Sequence, residues 1–158
     1  MPAIRLDEFK SEYFTQVLCL LQESNCLHAQ NAPCQFRCSA KESSIPYLNC
    51  ILQQKDNFGY VALAQDQVVG ALLAGEKQRD ENIYQNQVYW QIFDLVVSSE
   101  HQSQGIGRQL INKIIEEARK KHICQLELEV FNFNNRAAEF YRRLNFTEIS
   151  RNMALYIN

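Results

Sequence analysis

Apolar residues recur along this chain at two spacings, every second residue and every third to fourth residue, which are typical of strands and helices respectively. The segments predict the order β-α-α-β-β-β-α-β-α-β-β. Predicted strands occupy residues 3–6, 60–65, 68–76, 87–97 and 124–131, and residues 146–157 form two short strands or a hairpin around Asn152. Predicted helices follow Asp7 and occupy residues 41–54, 105–121 and 134–144. We therefore expect one α/β (α+β) domain over residues 1–158, a mixed sheet with helices on both faces.

The central predicted strand runs directly into a glycine-containing loop. Its apolar, β-branched run ends at Val97, a polar turn follows, and Gly105 and Gly107 open a helical pattern. A helix N-terminus presents unpaired backbone N–H groups and partial positive charge, and glycine lets a guest approach the backbone closely. The loop is therefore predicted to bind a phosphate group, and a bulky residue at Gly107 is expected to block that binding.

Composition narrows the class of protein. Of the 158 residues, 46% are apolar and 22% are charged, and the formal net charge is -2. These values indicate an ordinary globular domain, and without a Lys/Arg block we expect no nucleic-acid partner and no membrane partner. The first residues lack the hydrophobic stretch of a signal peptide, so a cytoplasmic location is the expectation.

The six cysteines are expected to be free thiols. A cytoplasmic chain with an adequate core does not need disulfides. Cys34 and Cys38 lie near His28, but no second Cys/His pair completes a four-ligand zinc set. We expect no metal.

Two segments, which begin 32 residues apart at Gln102 and Asn134, resemble the signatures of one family. Residues 102–107, Gln-Ser-Gln-Gly-Ile-Gly, fit the Gln/Arg-x-x-Gly-x-Gly/Ala signature of the GCN5-related N-acetyltransferases, the GNAT superfamily. Residues 134–146 are similar to that family's Asn-x-x-Ala-x-x-Phe-Tyr-x-x-x-Gly-Phe segment, with Asn145 in place of the glycine. Asn is the next best residue for the left-handed position after a helix, so this departure is tolerated. The order of elements resembles the family fold over essentially the whole chain.

The resemblance implies acetyl-CoA as cosubstrate, a mostly antiparallel sheet and a slot where the central strand splays from the next one. It implies a pyrophosphate site on the amides of Gln102, Ser103, Gln104, Gly105, Ile106, Gly107 and Arg108. It implies a pantetheine arm along the backbone of Leu95, Val96 and Val97, with Asn134 either contacting that arm or ordering the last helix. A dinucleotide site is disfavoured because the third glycine of its fingerprint is absent and the loop follows the fourth strand.

The implied reaction is attack of a neutral amine on the thioester. A Lys-like amine has a pKa near 10.4, so its deprotonation at pH 7 costs about 4–5 kcal/mol. By resemblance, Tyr141 lies near the CoA sulfur and protonates the departing thiolate; a packing aromatic is the competing interpretation. Asp94 is a candidate to accept the amine proton through water, to hold a cationic substrate, or to serve as a structural carboxylate. Two-residue alternation predicts that it shares a face with Trp90 and Ile92.

The acceptor is expected to be a small-molecule amine, with a protein N-terminus or lysine as the alternative. The implied acceptor pocket is built from residues 24–39, a loop or broken helix that could overhang a cleft, and from residues 78–86, which carry Asp80, Glu81 and Tyr84. The alternative function of a catalytically silent acyl-CoA-binding module stays open. Both a monomer and a homodimer are compatible with the sequence.

Overall fold

The computed structural model describes residues 3–38, 40–85, 87–155 and 157 and contains one five-stranded sheet in the order β1-β2-β3-β4-β5. Its strands are β1 (Ile4–Glu8), β2 (Asn57–Ala64), β3 (Gln67–Gln78), β4 (Val88–Val97) and β5 (Leu126–Glu127). Neighbouring strands are antiparallel, except that β5 runs parallel to β4. Gln65 and Asp66 both adopt positive φ in the link between β2 and β3, as a tight two-residue hairpin turn requires.

Helices cover both faces of the sheet. They are α1 (Phe14–Asn31), α2 (Ile45–Gln53), α3 (Ile106–Lys120) and α4 (Asn135–Arg142). One hydrophobic core joins α1 and α2 to the sheet, and a second core on the opposite face joins α3 and α4 to it. The expected fold class, with a mixed and mostly antiparallel sheet between helices, is confirmed.

Helix α1 is longer than the sequence pattern predicts. The expected loop or broken helix from residue 24 is instead helical as far as Asn31. Residues 24–31 contain neither Pro nor Gly, so nothing in the backbone interrupts the helix before that point. The helix ends where Pro33 disfavours helical backbone at Ala32, the residue that precedes it.

Strand β4 contains a bulge, and the bulge changes the direction of Asp94. Ala74 of β3 pairs with Ile92, but its neighbour Leu73 pairs with Asp94, so Phe93 is an extra residue in β4. Leu73 belongs to the core under α1 and α2, which places Asp94 on that face. The prediction that Asp94 shares a face with Trp90 and Ile92 is therefore wrong, because one inserted residue reverses the alternation beyond it.

The sheet opens between β4 and β5. The two strands pair only at Trp90 with Leu126 and at Gln91 with Glu127, so β5 is far shorter than the predicted 124–131. From Ile92 to Val97, β4 has no strand partner on that side within the described residues. This confirms the expected splay. The predicted last strands are not observed in the described part of residues 146–157; Tyr156 of that segment lies outside it.

A disulfide joins Cys26 of α1 to Cys38, which contradicts the expectation that all six cysteines are free. Because α1 continues to Asn31 and the chain then doubles back, two cysteines 12 residues apart meet in space. Cys19, Cys34, Cys50 and Cys124 are free thiols. No helix in the described ranges has the length and apolar character to cross a membrane. The same residues hold no cluster of side chains suited to a metal ion.

Candidate active site

The loop between β4 and α3 presents a row of unpaired backbone amides. No backbone acceptor is found among the described residues for the N–H groups from Gln102 to Arg108, and the first bond of α3 runs from Gln109 N to the Gly105 carbonyl. Gly105 precedes α3 in the left-handed region, at φ 82°, and a Cβ at this position would meet no atom within 4 Å. The loop is therefore open on the side of these amides and fits a phosphate group.

Two side chains, one from the loop itself and one from α4, hold this loop in place. Gln102 Nε2 donates to the Val97 carbonyl at the end of β4, at 3.2 Å. Arg136 of α4 donates to Gln102 Oε1 at 2.7 Å and to Ser103 Oγ at 3.2 Å. The Arg136 guanidinium therefore adds a positive charge beside the amides. Arg108, the arginine favoured by sequence position, is exposed on α3.

The second glycine of the motif has a different surrounding. A Cβ at Gly107 would lie 3.3 Å from Phe140 Cζ and 3.8 Å from Leu95 Cδ2. Gly107 therefore allows α3 to pack closely against α4 and β4. Bulk at this position acts on that packing, and not directly on the open side of the loop as expected from sequence.

The open edge of β4 contains the three residues predicted for the pantetheine arm. Leu95 and Val97 point to the core under α3 and α4, whereas Val96 points to the opposite core. Their backbone on the β5 side is left without a strand partner by the splay. An extended, amide-containing ligand can bond such an edge as an added strand.

Asp94 lies in the α1/α2 face of this opening and is held by a tyrosine. Tyr47 of α2 donates its hydroxyl proton to Asp94 Oδ2. Burial raises the pKa of Asp94, while the Tyr47 hydrogen bond and the nearby His28 of α1 oppose that rise in pKa. The net direction of the pKa is upward, as expected for a carboxylate removed from water. Burial and the Asp94 charge together raise the pKa of Tyr47.

Tyr141 approaches the same opening from the other face. It lies in α4 with its ring against Phe140 and Phe146, at centroid distances of 5.1 and 5.5 Å. Burial raises the pKa of Tyr141, and the negative charge of Asp94 raises it further. The two predicted catalytic residues are therefore close enough to interact electrostatically. Within the described part of the chain, the Tyr141 hydroxyl makes no hydrogen bond.

Asn134 has a local structural role. Its side chain caps α4 by accepting a hydrogen bond from the Ala137 amide at 3.1 Å. This bond accounts for the residue at the helix N-terminus. A contact of Asn134 with the pantetheine arm stays a prediction.

The two predicted acceptor segments lie in different places. His28 of the first segment lies near Asp94, since its charge acts on the pKa of that carboxyl. The segment 78–86 precedes β4, where Arg79 forms an ion pair with Glu127 and lies over the rings of Tyr84 and Tyr89. Tyr84 thus contacts Arg79 before the start of β4, whereas Asp94 lies in the second half of that strand. Ser39 and Asn86, the last residues of the two segments, lie outside the described residues.

Sequence reasoning missed Tyr47, His28 and the specific role of Arg136. Tyr47 looks like one more apolar position of an amphipathic helix, and only a long-range contact identifies it. Arg136 follows the Asn134 cap by two residues, and its place in the first turn of α4 was the available signal.

Comparisons with known proteins show what this sequence is similar to. The sequence model of the Acetyltransferase (GNAT) family matches residues 25–146. Streptothricin acetyltransferase A of Bacillus subtilis is 34% identical over 70 residues, which are 44% of this chain and 40% of that protein. The [ribosomal protein bS18]-alanine N-acetyltransferase of Escherichia coli K12 is 38% identical over 57 residues, which are 36% of this chain and 38% of that protein. The matched segments thus span well under half the length of these relatives.

Solved structures share the fold over nearly the whole chain. A mutant of the BH1408 protein from Bacillus halodurans superposes with a TM-score of 0.90 at 21% identity, covering 97% of this chain and 99% of that one. An aminoglycoside N-acetyltransferase in complex with CoA superposes with a TM-score of 0.77 at 14% identity, covering 99% of this chain and 96% of that one. At these identities the similarity concerns the fold alone.

Proposed function

Because the chain belongs to the Acetyltransferase (GNAT) family, we propose that it transfers an acetyl group from acetyl-CoA to a primary amine of a small molecule. The observation that carries this proposal is the approach of Asp94 and Tyr141 from opposite faces to the open edge of β4, beside a loop of unpaired amides. A binding module needs the loop and the edge, but it does not need two proton-handling groups at one point.

The residues present fit acetyl-CoA. The amides from Gln102 to Arg108 and the Arg136 guanidinium would hold its pyrophosphate. The unpaired backbone of Leu95, Val96 and Val97 would bond its amide-containing arm. Acetyl-CoA supplies the activated acyl group when bound.

Asp94 has the properties of a group that receives the amine. Its carboxylate attracts a cationic amine, and burial keeps its pKa above the ordinary value of an aspartate, which brings it closer to the working pH of a base. Tyr47 holds one carboxylate oxygen and leaves the other available to the amine or to a water molecule. Asp94 thereby orients the amine and takes up its proton.

Tyr141 has the complementary task. Burial beside Asp94 raises the pKa of its hydroxyl, so the phenol stays protonated and is ready to donate. The conjugate acid of the departing thiolate has a pKa near 8.5, below that of a phenol, so the proton stays on Tyr141 until the thiolate develops and its transfer to the sulfur is an uphill step. Tyr141 therefore holds the proton at the sulfur end of the slot, while Asp94 acts at the amine end.

The test combines binding and turnover. Thermal unfolding with acetyl-CoA, CoA and NAD is followed by thiol-release assays over a panel of amines. We expect stabilisation by the CoA species alone and thiol release with one class of small amine. Stabilisation without release from any small amine would instead favour a protein amine, the acceptor class of the bS18-alanine acetyltransferase relative, or a silent acyl-CoA-binding module. No stabilisation by CoA would contradict the proposal.

A further inference from the structure

Four rings pack against one another where α1, the segment after it and the segment between β5 and α4 meet. We name them the aromatic cover: His28 in α1, Phe36 in the segment after α1, and Phe131 and Phe133 between β5 and α4. The charge of His28 acts on the pKa of Asp94, so the His28 ring of the cover lies near that carboxylate. The cover therefore connects α1 and the segment after it to the segment between β5 and α4.

The rings of the aromatic cover contact one another directly. Phe36 lies edge-on to Phe131 at a centroid distance of 4.7 Å, and His28 lies 5.4 Å from Phe36. Phe131 and Phe133 are stacked at 5.9 Å, with 8° between their planes. Centroid distances of about 4.5–7 Å are those of packed rings. The four rings therefore form one packed cluster.

The disulfide holds the cover together. Cys26 lies two residues before His28, and Cys38 lies two residues after Phe36. The Cys26–Cys38 bond therefore closes a loop that contains both rings and keeps Phe36 against α1. Without it, the segment after α1 is connected to the cover mainly through ring contacts.

We propose that the aromatic cover is a size filter for the acceptor, with Phe36 as its specificity-determining residue. It admits a small free amine to Asp94 and excludes an amine carried by a peptide or a protein. Asp94 keeps part of its surface exposed, which leaves a small amine a route to it. A peptide needs the space that the four packed rings occupy. The inference rests on the proposed function, since it concerns the acceptor of that same site.

The experiment measures the affinity of two conjugates of CoA by calorimetry. In both conjugates the CoA sulfur is joined through an acetyl bridge to an amine nitrogen, which belongs to butylamine in one and to a hexapeptide N-terminus in the other. CoA alone is the reference. We expect the native protein to bind the butylamine conjugate about tenfold more tightly than the peptide conjugate, the penalty for displacing a packed ring cluster.

Variants identify the source of the discrimination. Phe36→Ala and Cys38→Ser are expected to bring the two affinities close to equality by strengthening peptide-conjugate binding, with CoA affinity unchanged. Leu27→Ala, an apolar truncation at an exposed α1 residue, and Cys34→Ser, at an exposed free thiol, are the matched controls and should keep the native ratio. A native ratio near one, or a ratio unchanged in both Phe36→Ala and Cys38→Ser, overturns the inference. CoA that does not bind at all overturns the proposed function instead.

Discussion

Replacing Tyr47 with phenylalanine tests the electrostatic design of the site. The change removes only the hydroxyl that donates to Asp94 Oδ2. Burial raises the pKa of Asp94, and the Tyr47 hydrogen bond opposes that rise. We therefore expect the pKa of Asp94 to move further upward in Tyr47→Phe.

The size of the shift follows from the strength of the lost bond. A hydrogen bond to a charged group contributes about 1.5–3 kcal/mol. Since one pKa unit corresponds to about 1.4 kcal/mol, the pKa of Asp94 should rise by about 1–2 units. If the ionised form of Asp94 receives the amine, the acidic limb of the kcat/KM profile moves to higher pH by the same amount. The rate at alkaline pH and the affinity for acetyl-CoA should be retained.

The assay is thiol release from acetyl-CoA, measured from pH 5 to 9 with one small amine. The chain offers a matched control in Tyr13, whose hydroxyl donates to Asp7 Oδ2 at 2.7 Å. That bond helps to lower the pKa of Asp7 to about 2, and it lies on β1, three strands away from β4. Tyr13→Phe should leave the acidic limb in place. An unmoved limb in Tyr47→Phe, or equal movement in Tyr13→Phe, would refute the role assigned to Tyr47.

Four further changes test other parts of the site. Tyr141→Phe should lower kcat while the thermal shift with acetyl-CoA stays native, and an unchanged kcat would remove Tyr141 from the mechanism. Asp94→Asn should abolish turnover but raise the melting temperature at pH 7. Because the pKa of Asp94 is raised in the folded protein, ionisation of Asp94 lowers the stability of the native protein as pH rises from the ordinary pKa of 3.8 through the folded pKa. The gain in melting temperature from Asp94→Asn should therefore disappear near pH 4. Gly107→Leu should lower the melting temperature of the protein without ligand, because overpacking against Phe140 costs about 1–3 kcal/mol of the free energy of unfolding. Gly105→Ala should instead weaken the acetyl-CoA shift, because a left-handed alanine costs about 1–2 kcal/mol in an otherwise open loop; equal effects of the two glycine changes would contradict these assignments.

Local patterns predicted the parts of this structure that depend on neighbours in sequence. The tight link between β2 and β3, the glycine loop after Val97 and the cap at Asn134 are set by a few adjacent residues. The loop and the cap lie where expected, and the link lies one residue before the predicted 66–67. Tyr141 was identified from a motif within one helix. These features need no knowledge of long-range contacts.

The features that sequence reasoning missed depend on long-range contacts. An extra residue at Phe93 cannot be detected by counting alternation in β4, because it is defined by pairing with β3. Tyr47 and Asp94 are 47 residues apart, and their pairing requires α2 to lie over the bulge. Cys26 meets Cys38 only because α1 continues through a segment predicted to be broken.

The bulge and the splay are both needed to build the site. Asp94 belongs to the α1/α2 face and Tyr141 to the α3/α4 face, so a fully paired sheet would separate them. Because β5 ends at Glu127, no strand lies between them beyond that point. Without the bulge, Asp94 would point to the α3/α4 face and lose Tyr47. In the proposed function, the acceptor and the cofactor would therefore meet at the open edge from opposite faces, and the proposed cover on the α1/α2 face would select the amine without contacting the loop proposed to bind phosphate.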